Sequence, residues 1–113
     1  MKIKSTVVFE YQIGDKQIKK FKEKVLERIL EETELNTTLD EISDEQTKHY
    51  LENALPELIK GYHLGYCDNS IILDDYFNTI EIDYYGEDAR NLVYEMADQI
   101  ITELEDNENK TEV

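Results

Sequence analysis

Apolar residues recur along this chain at two different spacings. Ile3, Val7, Phe9, Tyr11 and Ile13 fall on one face, with Lys4, Thr6, Glu10 and Gln12 on the other. That period of two predicts a half-buried strand over residues 3–13. Gly14 punctuates it, and Asp15 is placed to cap a helix, since its carboxylate can accept from the free N–H groups of a first turn. Ile18, Phe21, Val25, Leu26, Ile29 and Leu30 then form one helical stripe, predicting a helix from about Lys16 to Thr33.

Asn36-Thr37-Thr38 reads as a loop. Thr38 with Glu41, and Ser43 with Gln46, are both capping-box patterns, and the second stands before the longer periodic run. Tyr50, Leu51, Ala54, Leu55, Leu58, Ile59 and Tyr62 keep helical spacing up to Gly61, the expected stop. Pro56 interrupts that run. It has no N–H and its ring crowds the preceding turn, so a kink or break is expected near 53–55.

Asp68-Asn69-Ser70 is a turn signal. Residues 70–74 read as a short strand, 75–78 as its turn, and 79–85 as a second strand. On that second strand Ile80, Ile82 and Tyr84 alternate with Thr79, Glu81, Asp83 and Tyr85. Gly86 ends the hairpin, and Glu87 and Asp88 bring negative charge to a helix N-terminus. Ala89, Leu92, Val93, Met96, Ala97, Ile100, Ile101 and Leu104 make the strongest helical stripe. The order β-α-α-β-β-α predicts an α+β fold, with a small antiparallel sheet and helices packed on one face. One domain is expected over residues 1–104, followed by a disordered acidic tail over 105–113.

Composition supports a folded chain. Leu, Ile, Val and Phe number 31 of 113 residues, above the roughly 20% below which a highly charged chain stays disordered. No apolar run approaches the roughly 18 residues of a membrane span, and none follows Met1-Lys2-Ile3-Lys4 as a secretory signal would require. Cys67 is the lone cysteine, which excludes an internal disulfide. A cytoplasmic location is expected.

Charge changes the picture more. Net charge is −15. Residues 1–28 hold eight basic groups against four acids, a net +4, while the other 85 residues hold four against 23, a net −19. Lys16, Lys19, Lys20, Lys22, Lys24 and Arg28 crowd the first predicted helix, mostly in its first half, where the helix dipole disfavours them. They are therefore expected to have acidic neighbours in the fold. The −19 segment repels phosphates at long range and attracts basic partners.

Catalytic patterns are sparse. His63 and Cys67 could supply two metal ligands, but two more would have to come from elsewhere. Glu81 and Asp83 share a strand face behind Asp74 and Asp75, an arrangement of carboxylates that a metal-dependent phosphodiesterase could use. That chemistry usually adds a lysine, and none stands between Lys60 and Lys110. The four glycines never form a phosphate loop, and no serine sits in a nucleophile elbow. The chain is read as non-enzymatic, with no cofactor and no metal.

The informative stretch is 62–85. It holds Tyr62, Tyr66, Tyr76, Tyr84 and Tyr85 together with Asp68, Asp74, Asp75, Glu81 and Asp83, and no Lys or Arg. Tyrosine gives large contact area at low entropic cost, and carboxylates around it would meet Arg or Lys across an interface. Same-face strand residues repeat at about 6.6–7 Å, close to the phosphate spacing of one DNA strand. Candidate contacts are Asp74, Asp75, Glu81, Asp83, Tyr85, Glu87 and Asp88.

In overall composition, though through no motif, the chain resembles the small acidic inhibitors carried by phages and mobile elements. Anti-CRISPR and anti-restriction proteins of that kind block host defence enzymes by DNA mimicry. The resemblance implies a basic protein surface as partner, such as that of a nucleic-acid-binding protein, without direct nucleic-acid or membrane binding. The alternative reading is a homo-oligomer that pairs its lysine-rich helix with its acidic half.

Overall fold

The structure, a computed structural model, describes residues 1–3, 11–66, 68, 70–73 and 79–111, with side chains as far as residue 106. Its elements are β1 (Gln12–Ile13), α1 (Asp15–Glu32), a 3-10 turn (Leu39–Glu41), α2 (Asp44–Leu64), β2 (Ile71–Leu73), β3 (Thr79–Ile82) and α3 (Glu87–Thr111). This is an α+β fold. Of the strand expected over 3–13, residues 4–10 lie outside the described residues.

The sheet has the order β1-β3-β2. β2 and β3 form the expected antiparallel hairpin, with Ile71 opposite Ile82 and Leu73 opposite Ile80. β1, however, runs parallel to β3, so the sheet is mixed rather than antiparallel. A period of two reports which face of a strand is buried and carries no information on direction, which α1 and α2 set by carrying the chain away from β1 before β2 begins. Ile71, Leu73, Ile80 and Ile82 are buried on one face, whereas Ile72, Thr79 and Glu81 face outward. Only the buried face joins the core with the helices.

α1 contributes Ile18, Phe21, Val25 and Ile29 to that core, and α3 contributes Ala89, Leu92, Val93, Met96, Ala97 and Ile100. Leu30, at the end of the α1 stripe, is exposed. Phe21 stacks on Tyr50 of α2 at 6.1 Å between ring centroids. The Tyr50 hydroxyl donates to the Leu92 carbonyl at 2.8 Å, tying α2 to α3.

Three helix ends differ from expectation. Asp15 is the first residue of α1, and Gly14 occupies the cap with no side-chain bond. α2 passes both Pro56 and Gly61 and ends at Gly65, whose φ of 78° suits a residue without Cβ. There the N–H of Tyr66 reaches the Gly61 carbonyl at 2.8 Å and that of Gly65 reaches Tyr62 at 3.2 Å, a Schellman closure. α3 does not stop where its stripe ends at Leu104 but runs on to Thr111. The cap predicted at Ser43 is present, its hydroxyl accepting from the Gln46 N–H at 3.0 Å.

α2 survives Pro56 because the two sides of the helix have different demands. Leu51 and Leu55 are buried and hold the helix to the core, while Glu52 and Pro56 face solvent. The Glu52 carbonyl, which a proline four residues on cannot serve, is thus within reach of water. Replacing Pro56 by alanine is expected to stabilise the protein by about 1–2 kcal/mol. A urea midpoint that fails to rise would show that the helix is bent to suit the ring.

Candidate functional site

The cations of α1 find partners close by. Lys22 pairs with Asp44 of α2 at 3.0 Å, Arg28 with Glu32 at 2.8 Å, and Lys24 with Glu27 at 4.0 Å. Lys20 and Lys24 also lie over the Tyr84 ring, at 5.5 and 5.8 Å from its centroid, and Arg28 lies 4.1 Å over Tyr94. The acidic neighbours anticipated for these lysines belong to α1 and α2. The described part of the hairpin supplies an aromatic ring instead, so these cations leave its negative charge uncompensated.

The seven candidate contacts are divided by the structure. Asp74 and Asp75 lie outside the described residues. Glu81 is exposed on the outer sheet face, directly opposite Ile72, which is 44% exposed. The ladder continues one step beyond β3, where the Asp83 N–H donates to the Ser70 carbonyl at 2.8 Å. By strand alternation Asp83 therefore shares the side of Glu81. Its carboxylate also accepts from the Tyr85 N–H at 3.0 Å, which shapes the turn into α3. That turn separates two consecutive tyrosines. Tyr84 goes inward beneath the lysines, while Tyr85 is 95% exposed.

Glu87 and Asp88 open α3, where Gly86 stands in the cap position and offers no side chain. A remote segment supplies the cap. Asp68 accepts from the Asp88 N–H at 3.0 Å, and the Ser70 hydroxyl accepts from the Ala89 N–H at 2.9 Å. Ser70 in turn donates its hydroxyl proton to Asp68 at 2.5 Å. These are the second and third N–H groups of the helix, the pair a cap side chain normally serves. Asp68 thereby joins Glu87 and Asp88 at the start of α3, with Tyr66, 82% exposed, two residues away along the chain. In the sequence Asp68 reads as a turn residue and is not among the candidate contacts. The signal is a glycine at a helix start, which implies either no side-chain cap or one from elsewhere.

Among the described residues, no ion pair engages Glu81, Asp83, Glu87 or Asp88. The carboxylates at the start of α3 respond to one another instead. Hydrogen bonding, first from the Ser70 hydroxyl, holds the Asp68 carboxyl below its ordinary 3.8. Burial, then the charges of Asp68 and Glu87, push Asp88 above the same value.

Opposite pH dependences follow. Ionised Asp88 opposes the fold at neutral pH, and that opposition fades as Asp88 takes up its proton above pH 3.8. Ionised Asp68 supports the fold above pH 3.8, and that support is lost as pH falls below it, through the folded-state value. The urea midpoint is expected to fall below pH 3.8 in the native chain and to fall less in Asp68→Asn. Parallel profiles for the two proteins would contradict this account of the cap.

His63 belongs to the last turn of α2, beyond the stop expected at Gly61, and its Nε2 lies 2.7 Å from the Tyr11 hydroxyl. Cys67 lies outside the described residues. Among the described residues, no three His, Cys, Asp or Glu side chains gather as a metal-binding group. No described helix is long and apolar enough to cross a membrane. Comparisons of the chain with protein-family models, with curated proteins and with solved structures gave no match.

Proposed function

We propose that this chain is a non-enzymatic, acidic protein-binding module acting in the cytoplasm. It occludes a basic, nucleic-acid-binding surface of another protein, in the manner of the phage and mobile-element inhibitors that it resembles in composition. The observation that carries the reading is the division of charge. Lys22, Lys24 and Arg28 of α1 are matched by acids of α1 and α2, whereas Glu81, Asp83, Glu87 and Asp88 lack a cation partner among the described residues and stand beside the exposed Tyr85. Unpaired carboxylates around an exposed aromatic accelerate encounter with a basic surface and then give it contact area.

The test is capture of partners from lysate of the native host, with the native chain and a charge-reversed variant as parallel baits. A partner held at low salt, released at high salt, missed by the variant and blocked from nucleic acid while bound would support the proposal. Sedimentation at low and high salt separates the alternative, because self-pairing of the lysine-rich helix with the acidic half yields a salt-dissociable oligomer without any partner.

A further inference from the structure

Among the described residues, two buried side-chain polar atoms have no hydrogen-bond partner, Arg28 Nε and the Tyr84 hydroxyl. Both residues line the same cleft of about 260 Å³ between α1 and α3. Buried donors are rarely left unserved, and such a group points to a water or ion that completes it. Here both residues line one cleft, and both atoms can donate.

The surroundings favour an anion over water alone. Lys24 and Arg90 also line the cleft, and Lys20 lies over the Tyr84 ring. Lys20, Lys24 and Arg28 follow one another at four-residue intervals, so they form one row along α1. Three of the twelve basic groups of a strongly acidic chain thus line one cleft, and a fourth, Lys20, lies over the ring of its Tyr84. The guanidinium of Arg28 is positioned twice over, by the Tyr94 face at 4.1 Å and by Glu32 on Nη2 at 2.8 Å. Its Nε–H has no partner among the described residues. Burial raises the Tyr84 phenol, which keeps it a donor at neutral pH. The opposing charges are Glu32, paired with Arg28 at 2.8 Å, Glu27, within 4.0 Å of Lys24, and Glu31 at the cleft wall. Both orphaned atoms are closed to water as the side chains stand, so entry of a ligand requires the Lys24 side chain, 43% exposed, to shift from over the Tyr84 ring.

We propose that this cleft binds one small oxyanion of the phosphate or carboxylate class, held by Arg28 Nε–H and the Tyr84 hydroxyl and screened by Lys20, Lys24 and Arg90. The site is separate from the acidic face and does not depend on the reading given to that face.

The chain has only two arginines, Arg28 and Arg90, so an Arg90→Lys variant assigns the Nε–Hε resonances of the ¹⁵N-labelled protein. Sodium phosphate and sodium acetate are titrated separately, each against sodium chloride at matched ionic strength. The expected result is a saturable shift of the Arg28 Nε–Hε signal in one arm, the arm naming the anion class. Tyr84→Phe, which removes a hydroxyl without a partner and leaves the ring in place, is expected to raise the titration midpoint about tenfold. Shifts no larger than those in chloride would overturn the proposal and leave water as the occupant, as would an unchanged midpoint in Tyr84→Phe. A Glu31→Gln substitution that moves the Arg28 signal by itself, with no later response to either anion, would show that the chain's own carboxylate fills the cleft and would overturn it equally.

Discussion

Gly86→Ala is expected to destabilise the protein by about 2–4 kcal/mol, although it adds a single methyl group. The cause is the proximity of two segments. A Cβ at position 86 would lie 2.9 Å from the Ser70 Cα and would strike the Ser70 hydroxyl outright. That hydroxyl caps Ala89 and donates to Asp68, which caps Asp88. Overpacking a buried site costs about 1–3 kcal/mol, and a lost helix cap adds about 1. Against a total stability of about 5–15 kcal/mol this is a large fraction. For a domain of this size the melting temperature should fall by roughly 4–8 °C per kcal/mol. Ser70→Gly in the Gly86→Ala background removes the struck hydroxyl but not the crowding against the backbone at position 70, so it should recover part of the loss. A double-mutant cycle reads that coupling. Strict additivity of the two substitutions would show that the segments do not meet as described.

The same junction shows where sequence reading stops. The stripes of α1 and α3 were legible because Ile18, Phe21, Val25 and Ile29, and Leu92, Val93, Met96 and Ile100, repeat at the helical period and so announce a buried face. The hairpin was legible for the corresponding reason at period two. Ser43 was legible as a cap because its partner, Gln46, is three residues away. The capping of α3 was not, since Asp68 and Asp88 are twenty residues apart and only the folded chain brings them together. The parallel pairing of β1 with β3 was hidden for the same reason, as alternation is blind to strand direction. Pro56 misled because a local rule was read without knowing that the proline would face solvent while Leu51 and Leu55 anchored the helix. On the candidate face, the individual acids could be read from the sequence. That Lys20, Lys22, Lys24 and Arg28 meet Asp44, Glu27, Glu32 and two tyrosine rings could not, because the partners of a lysine depend on tertiary neighbours.

That division of charge yields the second large expected effect, on binding. Reversing both Glu81 and Asp83 to lysine is expected to weaken the partner complex about 100-fold, about 2.8 kcal/mol. Each exposed ion pair across an interface contributes only about 0.2–1 kcal/mol, so simple loss of two pairs would not reach this figure. Reversal goes further, because it sets like charges against the partner, which costs several kcal/mol when they are juxtaposed. Most of the loss at the rim should appear in the association rate, and the residual binding should be less sensitive to salt than that of the native chain. The two positions are not equivalent for the fold. Glu81 is exposed and its carboxylate makes no hydrogen bond among the described residues, so Glu81→Lys should leave stability within about 0.5 kcal/mol. Asp83 accepts from the Tyr85 N–H, so Asp83→Lys also removes a turn contact and moves the exposed tyrosine. Asp83→Asn keeps an acceptor at that position and removes only the charge. If binding follows charge, Glu81→Lys with Asp83→Asn should fall between the native chain and the double reversal, with the melting temperature nearly unchanged. Equal affinity across all three proteins would remove the outer face of the hairpin as the site of contact. A loss confined to Asp83→Lys would reassign the effect from electrostatics to the placement of Tyr85.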